Sequence, residues 1–225
     1  MTSDLEKTLS NNFIEFTPVL EFFDASEYIA IDLSLHSNIL KYIDVADPLK
    51  MDAYINKFIL KGNKKVAYGG YLEKRNLYDR SDYFNGVNKR NIHLGVDLWC
   101  SVRTKVIAPF NGKVHSFANN LNFGDYGPTI ILEHQIDNNL FYTLYGHLSI
   151  DSLNDLQIGK KLIKGEAFAQ LGNHEENGNY APHLHFQVVD DISSYFGDYP
   201  GVSDENNLEL YRNNCPDPNL ILGLE

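Results

Sequence analysis

From Val66 onward the chain alternates short apolar runs with clusters of turn-forming residues. Runs at 66–72, 105–107, 112–117, 129–134, 140–147, 167–171 and 183–189 have the length and β-branched or aromatic content of strands. Between them stand Asn111-Gly112, the loop 124–128, Asp137-Asn138-Asn139 and Asn177-Gly178-Asn179, which are turn chemistry. Strands this close together, without long alternating helices, predict a mainly β fold, an antiparallel sheet or sandwich rather than βαβ units. One helical turn is expected at 152–156. The first 65 residues read differently, with a short strand at 28–33 and a helix from Pro48 to Ile59. Asp47 is the expected N-cap of that helix, Pro48 its first residue and Gly62 its stop. The expected organisation is a mixed α/β N-terminal extension (1–65), a β domain (66–200) and an irregular, Asn- and Pro-rich tail (201–225) packed on that domain.

Composition narrows the function. With 225 residues, 43% hydrophobic and 22% charged, the chain has the make-up of a globular protein. Its net charge of -11 argues against nucleic acid as a partner, because no basic surface is available to displace phosphate counterions. No apolar run approaches the ~20 residues of a membrane span. The stretch from Met1 to Lys7 has neither a basic segment nor an apolar one of the kind a secretory signal needs, so the cytoplasm is the expected location. Cys100 and Cys215 are too few for a disulfide framework or a Cys-rich zinc site.

The candidate chemistry lies in histidines. His183 and His185 sit two apart in a strand-like run, so both imidazoles face one side of the sheet. A metal or catalytic role and a satisfied structural pair are both open on this spacing alone. His93 and Asp97 are four apart, roughly 13 Å along a straight strand. Gly95 between them argues for a bend that brings both side chains to one point. With His185 they make two imidazoles and a carboxylate, the type of set that catalytic zinc sites use with a fourth position left to water. An Asp-paired structural histidine is the alternative. In the run 142–149, Thr143, Tyr145 and His147 share a face and end a strand.

Taken together, His93-Leu94-Gly95-Val96-Asp97, Tyr145-Gly146-His147-Leu148-Ser149 and His183-Leu184-His185-Phe186 resemble the signature of the lysostaphin-type zinc metalloendopeptidases, which cut peptide cross-links of bacterial cell walls. The resemblance runs from about Ile92 to Val189. It implies the duplicated-hybrid-motif fold, a small antiparallel sheet crossed by a groove, and a peptide or peptidoglycan-like substrate. It further implies zinc held by His93, Asp97 and His185, with His183 and His147 as the catalytic pair and Tyr145 lining the groove. The segment before His183, residues 175–182, is bulkier and more acidic than the small residues usual in the family. That departure keeps two other readings open, a non-catalytic binding module that retains the zinc site and a hydrolase of a small cytoplasmic amide. Of the remaining histidines, His134 is expected to be structural, His115 and His36 exposed, and His174 to border the groove without being a ligand.

Overall fold

The computed structural model describes residues 3–21, 24–81 and 89–224; Met1 and Thr2, which open the N-terminal stretch read above, lie outside them. Twelve strands are formed among the described residues: β1 (Tyr28–Ala30), β2 (Val66–Gly69), β3 (Ile92–His93), β4 (Val96–Trp99), β5 (Lys105–Ile107), β6 (Gly112–Asn120), β7 (Gly127–Ile136), β8 (Asn139–Gly146), β9 (Lys161–Leu162), β10 (Ala167–Gln170), β11 (His183–Val189) and β12 (Val202–Ser203). Eight of them make one sheet in the order β1-β2-β4-β11-β8-β7-β6-β9. All its pairings are antiparallel except β1 with β2. The fold is mainly β, as the run spacing predicts.

Register decides which residues meet. Against β11, His183 lies opposite Trp99, His185 opposite Asp97 and Phe186 opposite Val96. On its other edge, His185 faces Gly146 and Phe186 faces Tyr145. Directly opposed residues share a face. Leu98, Leu184, Phe186, Val188 and Tyr145 therefore enter the main core with Val106, Ile130 and Leu132. Each fully buried side chain of this size contributes about 1.5–3 kcal/mol. Helices α1 (Asp4–Asn11) and α4 (Asn219–Leu222) add Leu5, Leu9 and Ile221 to the same core.

Helix α2 (Pro48–Lys61) starts as expected, with the Asp47 carboxylate accepting from the Leu49 and Lys50 amides at 3.0 and 3.1 Å. Its Met51, Ile55 and Ile59, spaced four apart, pack on Ile31, Leu33, Ala67 and Trp99 at the other face of the sheet. The middle of that face, over β4 and β11, is left for the histidines.

The tail departs from expectation. It is not irregular: β12 pairs with β3, placing Val202 opposite His93, and α3 (Leu208–Asn214) and α4 follow. Backbone pairing across that short ladder outweighs the tail's polar composition. The turn expected at 152–156 forms slightly earlier, as a 3-10 turn at Ile150–Leu153.

Candidate functional site

The bend anticipated at Gly95 is present, since β3 ends at His93 and β4 begins at Val96. No side chain fits there: a Cβ on Gly95 would lie 2.7 Å from both His185 Cε1 and the Phe186 carbonyl. This close approach folds His93 over the sheet onto the β4/β11 pair. His93, Asp97 and His185 then bring ligand-type atoms within 4.8 Å of one another, the one such group among the described residues. All three are buried.

The second nitrogen of each ring fixes its tautomer. His93 Nδ1 lies 3.0 Å from the Gly70 carbonyl, which can only accept, so Nδ1 carries the proton and Nε2 the lone pair. His185 Nε2 donates to Gln187 Oε1 at 2.9 Å. The Gln187 amide nitrogen in turn donates to the Pro200 carbonyl at 3.2 Å, which settles which way that amide points. His185 Nδ1 is left with its lone pair. These two lone pairs, His93 Nε2 and His185 Nδ1, face each other at 2.8 Å, each 3.2 Å from Asp97 Oδ1. Two lone pairs and a carboxylate oxygen do not hydrogen-bond one another; they are a donor set for a cation. Ligand atoms about 2.0–2.1 Å from a tetrahedral zinc would be about 3.3 Å apart, close to this spacing. The residues present fit a metal of that kind.

Charge states agree with that reading. Burial drives His93 down to about 4 even beside Asp97, so its ring is neutral at ordinary pH. Burial alone would raise Asp97, but the Arg75 guanidinium bonded to its other oxygen holds it well below the usual carboxylate range.

Two further imidazoles flank this group. His147 Nδ1 donates to the Asn177 carbonyl at 2.8 Å and His183 Nδ1 to the Ala181 carbonyl at 2.7 Å, so each keeps an Nε2 lone pair. Their ring centres are 4.2 Å apart, and His183 Nε2 is 3.8 Å from Asp97 Oδ1. Burial lowers the pKa of both rings, leaving neutral bases. His147 has φ +63, a left-handed conformation rare for a residue with a Cβ. Its N–H bonds to the Tyr126 carbonyl and its own carbonyl accepts from Gly172, both at 2.9 Å, and these bonds hold the strained backbone in place. The five side chains line a pocket of about 210 Å³. Its walls include Tyr78, Tyr126 and Tyr180 and, from the tail, Tyr199 to Val202.

Residues 91–195, a little under half of the chain's length, match the sequence model of peptidase family M23. This stretch is similar to peptidase family M23. All of the motif histidines and Asp97 lie inside the M23 span. No curated protein matches the chain in sequence. Similar solved structures include the catalytic domain of the antimicrobial peptidase lysostaphin from Staphylococcus simulans, with 23% identity, 72% of this chain and 97% of that chain covered, and a TM-score of 0.41. A peptidase M23 protein from Pseudomonas aeruginosa is 20% identical over 59% of this chain and 44% of its own, with a TM-score of 0.39. A zinc-containing peptidase from Vibrio cholerae is 26% identical over 49% of this chain and 33% of its own, with a TM-score of 0.35. The chain thus spans less than half of the latter two proteins.

Other sequence expectations fare differently. Tyr145 does not line the pocket. It is fully buried in the core against Phe168 and Phe186, and its hydroxyl accepts from Thr143 Oγ1 at 3.0 Å. The strand ends at Gly146, so the left-handed turn at His147 breaks the alternation that would have put residues 145 and 147 on one face. His134 is structural as expected, bonded to the Asn111 carbonyl at 3.0 Å and to Thr143 Oγ1 at 2.7 Å. His115 is half-buried against Tyr142 and Phe196 instead of exposed, because a bulge between Val114 and Ser116 interrupts β6. His174 lies against a separate groove beside Asn120 and Phe123, and His36 is exposed.

The sequence reading missed Gln187 and Arg75. Gln187 was within reach of it, being two residues beyond His185 on the same strand face. Arg75 was not, because its contact with Asp97 depends on how β2 docks on β4.

Proposed function

We propose that this protein is a zinc-dependent hydrolase that cleaves a peptide bond, with His93, Asp97 and His185 as the metal ligands. The observation that carries this reading is the pair of imidazole lone pairs facing each other at 2.8 Å beside an ionised carboxylate. Zinc bound there would supply an acidified water and polarise the scissile carbonyl. The rest of the chemistry falls to the chain's own side chains. His183, neutral and with a free Nε2, accepts the proton of the attacking water as general base. His147, held by Asn177 with its Nε2 lone pair free, accepts a hydrogen bond from the same water, and the proton taken up by His183 is then passed to the leaving amine. Both rings are anchored through Nδ1 to backbone carbonyls, so neither must reorient during the reaction.

The pocket, about 210 Å³, has room for a short peptide segment at the metal. It therefore also supports a second reading, a hydrolase of a small amide. Incubating the zinc-loaded protein with short glycine- and D-alanine-containing peptides, cell-wall fragments and small amides, with and without a chelator, separates the readings. Chelator-sensitive cleavage of a peptide is the expected result. A zinc-replete protein that binds such peptides yet cuts none of the panel would favour a binding module instead.

A further inference from the structure

The segment from Gly69 to Arg75 lies ahead of the M23 span and contributes no group with free lone pairs to the pocket, yet it grips the site at several points. The Gly70 carbonyl fixes the His93 tautomer. Around it, the Leu72 amide bonds to the His93 carbonyl at 2.8 Å, the His93 amide to the Glu73 carbonyl at 3.0 Å and the Arg75 amide to the Asn91 carbonyl at 2.9 Å. At the end of this bracket a guanidinium is buried, 1% exposed. A buried arginine is costly unless its donors are met. Here they are met by a specific set: Nη1 donates to Asp97 Oδ2 at 2.5 Å, Nε to Glu73 Oε2 at 2.5 Å and Nη2 to the Gly69 carbonyl at 3.3 Å.

The division of the Asp97 carboxylate is the informative feature. Oδ2 is taken by Arg75, while Oδ1 alone faces His93, His185 and, farther off, His183. A free carboxylate can coordinate through one oxygen or both; this one has its second oxygen already held. The guanidinium also lies 5.6 Å from the centre of the Trp99 ring, and Trp99 stacks on His183 at 5.7 Å. The chain makes room for the fork with Gly70, whose φ is +108 and where a Cβ would come within 1.9 Å of Arg75 Nη2.

We propose that Arg75 is a positioning residue of the metal centre, its guanidinium fork holding Asp97 as a one-oxygen ligand and bracing His183 through Trp99. The proposal rests on the zinc-site reading above. It makes the bracket before the M23 span part of the working site. Lysine cannot replace the fork, because a point charge cannot serve Asp97, Glu73 and the Gly69 carbonyl together in one plane.

Cobalt(II) in place of zinc reads coordination directly, since four-coordinate cobalt absorbs visible light several-fold more strongly than five-coordinate. The wild-type protein is expected to take up cobalt with the strong absorption of a four-coordinate site. In Arg75→Lys, which keeps the charge, Oδ2 is released to the metal; the absorption should fall and metal affinity weaken by about 10–100-fold. If Arg75→Lys does not fold, the charge-neutral pair Glu73→Gln with Arg75→Met is measured in the same way, with the same expectation. A folded variant with wild-type spectrum and affinity overturns the positioning role. Failure of both variants to fold, tracked by circular dichroism, would overturn it too, marking Arg75 as a folding residue. A wild-type protein that binds no cobalt would instead remove the zinc-site reading beneath it.

Discussion

His134 and His93 are both buried imidazoles packed on the same large sheet, and burial lowers both to about 4. At His134, each ring nitrogen has its own oxygen partner, the Asn111 carbonyl and the Thr143 hydroxyl. At His93, one nitrogen is tied to the backbone and the other points at a second lone pair and a carboxylate. Burial and lowered basicity are therefore common to a scaffold histidine and a site histidine. What separates them is the accounting of the second nitrogen. By that test His147 and His183 join the site, each spending Nδ1 on a carbonyl and keeping Nε2.

Substitutions sharpen the contrast. The largest effect is expected at His183→Ala, where kcat should drop about 10²–10⁴-fold with zinc still bound, because a base is lost and no ligand is. Loss of zinc from this variant would move His183 from base to ligand. His134→Ala should act on stability alone. It removes a buried ring with its bonds to the Thr143 hydroxyl and the Asn111 carbonyl and should cost about 1–3 kcal/mol in denaturant unfolding, with kcat and zinc content of the folded protein unchanged. A kcat that fell with stability intact would erase the distinction between the two sites.

How much of this was legible beforehand follows from which interactions are local. The two-residue period of β11 placed His183 and His185 on one face, and the glycine between His93 and Asp97 marked the bend. The strand runs at 105–107 and 183–189 have those bounds in the structure, since their apolar content and turn flanks agree. Tyr145 was misplaced because alternation holds only while a strand continues, and the left-handed residue at 147 ends it. The structure of the tail depends on pairing between residues about a hundred positions apart, Val202 with His93, which leaves no trace in its own composition. Arg75 is the extreme case: in sequence it is one charge among several, and only the docking of β2 on β4 buries it against Asp97.

The central claim, that the facing lone pairs form a metal centre, meets its most direct test in the zinc content of the protein after loading and exhaustive dialysis. One zinc per chain is expected in the wild type and in His134→Ala, and none retained in His185→Ala. A wild-type chain that retains no zinc, or a His185→Ala chain that retains it fully, would contradict the account.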